Sequence, residues 1–410
     1  MDGRAKISSL RPGAWILLSL LVAGCATTPA PRIPLASLPA AQQARAAQNL
    51  RVYDKVWGLV ADKHYDPKLG GVDWPAAGRE YGALAAAAPD DTMLYAALNG
   101  MLGLLHDSHT RAIPPTSARE RRDQARVLTG IVASRFDGRW TVTEVLPGSP
   151  AEAAGVLPGW LVVARNGEPP GERFAFPLRD GERVRWEFLD RDDRPVELAL
   201  TARPVATAPR QLATTLSGGV VVLRFDGFDA TDRRWLSAQL KEHRDAPGVV
   251  IDLRHNSGGD SFSLGTSIGE FFDRAVDMGK FLDRAGDSPQ WRSFQLGSAR
   301  YAGRVAVLVG GVTASSAEIF SAVLQTNGRA TIVGRHTAGA VLGSRFHALP
   351  DGGELQLSQR NYVLPGGGRL EGRGVEPDVV VTAAPTHADL RAGRAPDLEV
   401  ALERLRAPAR

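Results

Sequence analysis

A multidomain α+β fold is what this sequence predicts, and three observations carry the prediction. Apolar residues recur at three- and four-residue spacing across residues 41–105, short β-rich runs separated by turn pairs fill residues 130–168, and apolar runs alternate with helical segments from about residue 214. The first pattern is that of amphipathic helices. The second belongs to a small β-sandwich with helices, and the third to a layered α/β core. A chain of 410 residues is longer than one modest core requires, which favours two or three domains.

Taken in order, the chain opens with Arg4, Lys6 and Arg11 ahead of AWILLSLLVAG. That apolar run is too short to cross a bilayer as a stable helix but suits the middle of a secretion signal. It ends at Cys25 in LVAGC, which resembles the cleavage box of bacterial lipoproteins. The resemblance implies that residues 1–25 are a lipoprotein signal and that Cys25 becomes the lipidated residue. The protein would then be exported and lipid-anchored to a bacterial membrane, facing the periplasm or the cell exterior. Cys25 is the only cysteine, so no internal disulfide or cysteine-based metal site is available. Residues 26–40, rich in Pro, Ala and Thr, read as a tether.

Residues 41–113 are expected to form an N-terminal helical layer, and the polar stretch PPTSARERRDQAR at 114–126 to separate it from the next unit. Within 126–205, the pairs Asp137-Gly138 and Asn166-Gly167 are hairpin-turn signals, and PGSPAEAAGV supplies a short helix. The run SPAEAAGVLPGW resembles the PDZ domains of bacterial proteases, with Trp160 where an Asp is usual. That resemblance implies peptide binding by strand addition at Gly130, Ile131 and Val132. Residues 206–385 hold the α/β alternation, and 386–410 form a tail that ends in a helix.

Hydrophobic residues at 43% and charged residues at 23% give an ordinary globular balance. A formal charge of +4 with no dense Lys/Arg tract argues against a nucleic-acid partner.

Chemistry concentrates in two places. In TASSAEIFSAVLQ, Ser315 with Glu318 fits a helix-capping box, which needs nothing catalytic. A serine at a helix N-terminus is also where a nucleophile gains most from free N–H groups and the helix dipole. Such a serine needs a base. All six lysines precede Ser315, so no Ser-Lys dyad can be built from later residues. GLLHDSHTR, residues 103–111, offers His106 and His109 instead. Histidine is the commonest general base, but a helix C-cap role or an H-x-x-H metal pair also fits these residues.

Several motifs in one order resemble the C-terminal processing, or tail-specific, serine peptidases: LLHDSHT, VVIDLRHNSGG, TASSAEIFSAVLQ, VGRHTAG and EGRGVEPD. The resemblance implies a crotonase/ClpP-like ββα peptidase core and no cofactor. Where one branch of that family carries a catalytic lysine, this chain has Ala340. The tricorn-core-like Ser-His-Glu branch fits better. It implies Ser315 as nucleophile, His109 as general base, and Ser108 with Glu371 as the groups orienting the histidine. Amides around Gly258, Gly259 and Ser316 would form the oxyanion hole. The expected partners are proteins or peptides with exposed C-termini, cleaved by an envelope endopeptidase through an acyl-enzyme. The alternatives are an inactive PDZ adaptor and a metallohydrolase built on His106 and His109.

Overall fold

Asp73 and Asp90 start two of the first three helices, their carboxylates accepting the N–H groups of Ala76 and Met93. The computed structural model describes residues 39–406, apart from 173, 175, 208–209, 287, 297–299 and 384. The expected signal, Cys25 and nearly all of the tether lie outside the described residues. Helices α1 (Ala40–Lys63), α2 (Trp74–Ala87) and α3 (Asp91–Gly103) form the N-terminal layer. The stretch 114–126 was expected to be a separator, but it follows the short strand β1 (Arg111–Ile113) and holds helix α4 (Pro115–Asp123) and the start of β2 (Ala125–Leu128). Pro115 suits the first turn of that helix, and Arg121 and Arg122 fasten its end to Glu354. Charge read as loop is here the outer face of a docked helix.

The second unit runs through β3 (Ile131–Phe136), β4 (Arg139–Val145), α5 (Pro150–Ala153), β5 (Leu161–Arg165), β6 (Arg183–Leu189) and β7 (Pro195–Thr201). These strands form one antiparallel sheet in sequence order, with β3 at its edge. β8 (Arg203–Ala206) pairs with β2 in a separate ribbon. Both predicted turn pairs take positive φ at both residues, as hairpin turns of the primed type require. The five strands make one connected hydrogen-bonded path, accompanied by the one short helix α5. Pro169, Pro170 and Pro177 deny the 169–180 segment helical hydrogen bonds, and its Phe174 and Phe176 instead cover Trp186.

The third unit contains β9 (Gln211–Thr215), β10 (Val221–Phe225), α6 (Ala230–Glu242), β11 (Gly248–Asp252), α7 (Ser261–Gly269), β12 (Lys280–Leu282), β13 (Arg304–Val309), α8 (Ser316–Thr326) and β14 (Thr331–Gly334). β15 (Leu342–Ala348), β16 (Glu354–Val363), β17 (Val379–Val380), α9 (His387–Ala392) and α10 (Pro396–Arg406) complete it. Its main sheet has the order β17-β14-β13-β11-β10-β9, parallel except at the β10/β9 edge. Every residue of β11 is buried, which explains why GVVID reads as a continuous apolar run rather than an alternating one. Each fully buried Val, Ile or Leu there contributes about 1.5–3 kcal/mol.

A second sheet, in which β16 pairs with β1, β12 and β15, joins the units. Leu355 and Leu357 of β16 share a core with Val52, Trp57, Leu98 and Met101 of the N-terminal helices. The strand β1 that follows the DSHT loop is therefore locked, residue by residue, onto Glu354–Gln356. This pairing carries the N-terminal loop to the edge of the α/β unit.

Candidate active site

Parallel sheets place their ligand sites beyond the carboxyl ends of the strands. Here the loops after β11 and β13 meet there. The first is Leu253–Asp260, and the second leads through Thr313 and Ala314 to Ser315 at the start of α8. Ser315 has φ 56° and ψ −121°, a region that a residue with a side chain rarely adopts. Such backbone costs on the order of 1–3 kcal/mol and persists only where the surroundings impose it. The surroundings are visible: the Ser315 N–H donates to the Ala340 carbonyl at 2.8 Å and to Glu318 Oε2 at 3.0 Å.

In the capping-box pair anticipated from the sequence, Glu318 reaches back to the Ser315 N–H at 3.0 Å, and Ser315 also lines a cleft. Glu318 is fully buried and also accepts from Thr337 Oγ1 at 2.5 Å and from the N–H groups of Gly339 and Ala340 at 2.8 and 2.9 Å. Burial pushes its carboxyl upward, and the four donors pull the other way without cancelling the rise. Ala340 thus gives both its N–H and its carbonyl to holding the turn.

The DSHT loop arrives from the opposite side. Asp107 organises it: one carboxylate oxygen accepts from the N–H groups of His109 and Thr110 and from Ser358 Oγ, and the other from Thr110 Oγ1 and His64 Nε2. Burial would raise Asp107, but the bonds from His64 and Thr110 bring it down to about 2. Ser108 Oγ lies 2.6 Å from His109 Nδ1 and donates to Glu371 Oε2 at 3.0 Å. Glu371 Oε1 accepts the Ser108 N–H at 3.1 Å. Burial holds the His109 imidazole below its ordinary range, opposed by the charges of Glu371 and Asp107.

The two halves meet in one peptide group. The Ala340 carbonyl accepts from Ser315, and the N–H of the same peptide, that of Val341, donates to Glu371 Oε2 at 2.7 Å. Ser108, His109, Glu371 and Ser315 are thereby joined in a continuous hydrogen-bonded chain.

Beside Ser315, Gly258 and Gly259 have positive φ, and a Cβ on Gly258 would fall 2.6 Å from Ser315 Cβ and 2.9 Å from the Ser316 nitrogen. The Gly258 N–H is already committed to Asn256 Oδ1 at 2.9 Å, which removes it from the predicted oxyanion donors. Among the described residues the N–H groups of Gly259 and Ser316 have no such partner. Ser316 Oγ ties α8 to the Gly259 carbonyl at 2.9 Å. Both residues line a cleft of about 320 Å³ with Ser315, Phe281, Ile319, Val341 and Leu342.

Other predicted site residues lie elsewhere. Gly130, Ile131 and Val132 stand at the edge strand β3 of the second unit, and His106 is an exposed residue at φ 49° ending the α3 turn. The sequence reading missed Asp107, His64 and Asn256. A D-x-x-T pattern was present to suggest the Asp107 turn, whereas the His64 and Asn256 partners are 43 and 31 residues away.

Residues 219–381 match the model of Peptidase family S41, and residues 46–103 match the tricorn protease C1 domain. The chain is a serine-type peptidase, similar over residues 219–381 to Peptidase family S41. A carboxyl-terminal-processing protease of Picosynechococcus sp. is 26% identical to this chain over 347 residues, spanning 81% of this chain and 83% of the relative. The solved photosystem II D1 C-terminal processing protease shares its fold with TM-score 0.54 and 21% identity, over 88% of this chain and 98% of that one. Mature CPAF complexed with lactacystin gives TM-score 0.61 at 15% identity, over 88% and 98%.

Proposed function

We propose that this serine-type peptidase cleaves exposed or unfolded C-terminal protein tails with a Ser315–His109 pair supported by Ser108 and Glu371. The observation that carries the reading is the Ala340–Val341 peptide group, a rigid plane that holds the Ser315 backbone on one side and Glu371 on the other. Because Ser108 Oγ donates to Glu371, it accepts from His109 Nδ1–H, which leaves Nε2 with the lone pair. Nε2 takes the Ser315 proton as Oγ attacks the scissile carbonyl. The Gly259 and Ser316 N–H groups receive the oxyanion, His109 returns the proton to the leaving amine, and water then releases the acyl group by the reverse sequence.

The second unit fits a PDZ-like module whose edge strand β3, beginning after Gly130, would take an extended peptide by main-chain pairing. The parallel sheet with its helices fits a crotonase/ClpP-like core.

Replacing Ser315 by Ala tests the centre of this reading. Turnover of an unfolded protein substrate should fall by about 10⁴-fold or more, and covalent labelling by a fluorophosphonate should vanish. Persistent hydrolysis by the variant would assign the nucleophile elsewhere. Unaltered peptide binding by a wild-type chain with no turnover would favour the adaptor.

A further inference from the structure

Beyond the reacting residues, the Ser315 cleft is lined by the apolar Phe281, Ile319, Val341 and Leu342, by the polar Asp260, Ser261 and Ser344, and by Arg345, Gln359 and Arg360. A second groove shares those last three residues and continues to Lys63, Arg284, Asp62, Asp283 and Ala285. The register explains the continuity. β15 starts at Leu342, directly after the Val341 N–H that holds Glu371, and Gly343 lies opposite Arg360 on β16. An irregularity between Gly343 and Ser344 shifts the pairing there. Gly343 itself sits tightly, since a Cβ there would lie 3.0 Å from Arg360 Cβ.

Charge accumulates along this path. Arg345, Arg360 and Lys63 are exposed, and among the described residues none of them has a carboxylate at ion-pair distance. Arg284 reaches inward to the His64 carbonyl at 2.9 Å. The carboxylates nearby are partly committed: Asp260 caps α7 through the Ser263 N–H, and Asp283 accepts the Ala285 N–H. Four cationic side chains thus face two aspartates in the outer groove. His347, on β15, registers the same field: burial lowers it, and Lys63, Lys55 and Arg345 lower it further.

We infer that this cationic groove is a substrate subsite that selects a carboxylate a few residues from the bond cut at Ser315. The inference rests on the peptidase reading and adds the substrate class. Arg345 is four residues along the chain from Val341, about 13 Å at the rise of an extended strand, so the selected group lies about four residues from the scissile bond. Either an acidic side chain or the terminal carboxylate of the tail supplies that chemistry, and guanidinium groups suit both.

The test uses the full chain bearing Ser315→Ala, so that binding is read without turnover. Labelled peptides that differ only in Glu against Gln at that distance, each as free acid and as C-terminal amide, are compared by fluorescence anisotropy at low and high salt. A carboxylate should tighten binding about fivefold, and the gain should shrink at high salt. A gain that follows the side chain identifies an internal acidic residue, and one that follows the free terminus identifies the chain end. Adding R345E and R360E should abolish or reverse the preference. R360Q alone, a milder change at the surface, should reduce it. Equal binding of all four peptides to the Ser315→Ala chain overturns the subsite. Turnover by the unmutated chain is scored separately: discrimination without turnover overturns the peptidase reading and leaves the subsite standing, and turnover without discrimination does the reverse.

Discussion

His109 shows how one side chain is tuned for use. Its neutral form is favoured by burial, so at neutral pH the imidazole is ready to accept a proton. If it is the base, kcat/KM should rise with pH along a limb centred below the ordinary histidine value of about 6.5 and be flat above it. Glu371 pulls His109 upward. Glu371→Gln keeps an acceptor for Ser108 but removes that pull, so the limb should move to still lower pH while the maximal rate falls by about 10- to 100-fold. A pH–rate profile of the variant with an unmoved limb would assign the titration to another group. The strained φ of Ser315 belongs to the same scale, because it sets the residue at the helix start where it lines the cleft.

At the level of elements, the DSHT loop depends on Asp107 more than on the residues it presents. Its carboxylate is 3% exposed and gathers donors from His64 just after α1, from the loop and from β16. Asp107→Ala should lower stability by about 2–4 kcal/mol, because it strands several buried donors, and urea unfolding measures this. The Asp107 contribution is fully present above its unfolded value near 3.9 and is lost as pH falls toward about 2. The same elements show what the sequence makes legible. The N-terminal helices, the hairpin turns and the alternation from β10 to β14 follow from local periodicity and turn chemistry, which act within a few residues. Helix α4 was hidden because its polar surface matches a loop until Glu354 is known to receive Arg121 and Arg122. Strand β15 was hidden because LGSRFHA borrows its order from β16. Likewise the residue types of the site were readable, but the Ala340–Val341 link between them is a backbone contact that no side-chain pattern encodes.

Across the whole molecule, the C-terminal helix is wired to the loop after β11. Asp397 of α10 is completely buried and bonds both Arg335, just after β14, and Arg254, which also holds Asp252 at the end of β11. Breaking a buried arrangement of this kind typically costs about 3–5 kcal/mol. The second unit is fastened on two sides, by Glu144 to Arg210 and Arg224, and by Asp193 to Arg391 of α9. At the other end, the LVAGC reading predicts that Cys25 carries lipid. Metabolic labelling with a palmitate analogue should mark the wild-type chain and not Cys25→Ser, and the variant should move from the membrane to the soluble fraction. Equal labelling of both would remove the anchor.

Glu371 lies 263 residues beyond Ser108, and the hydroxyl of Ser315 falls between them in synthesis order. On the proposed mechanism, a polypeptide still emerging from the ribosome therefore owns an imidazole with nothing to activate and no carboxylate to steady it, and cutting power arrives only once residue 371 has been made.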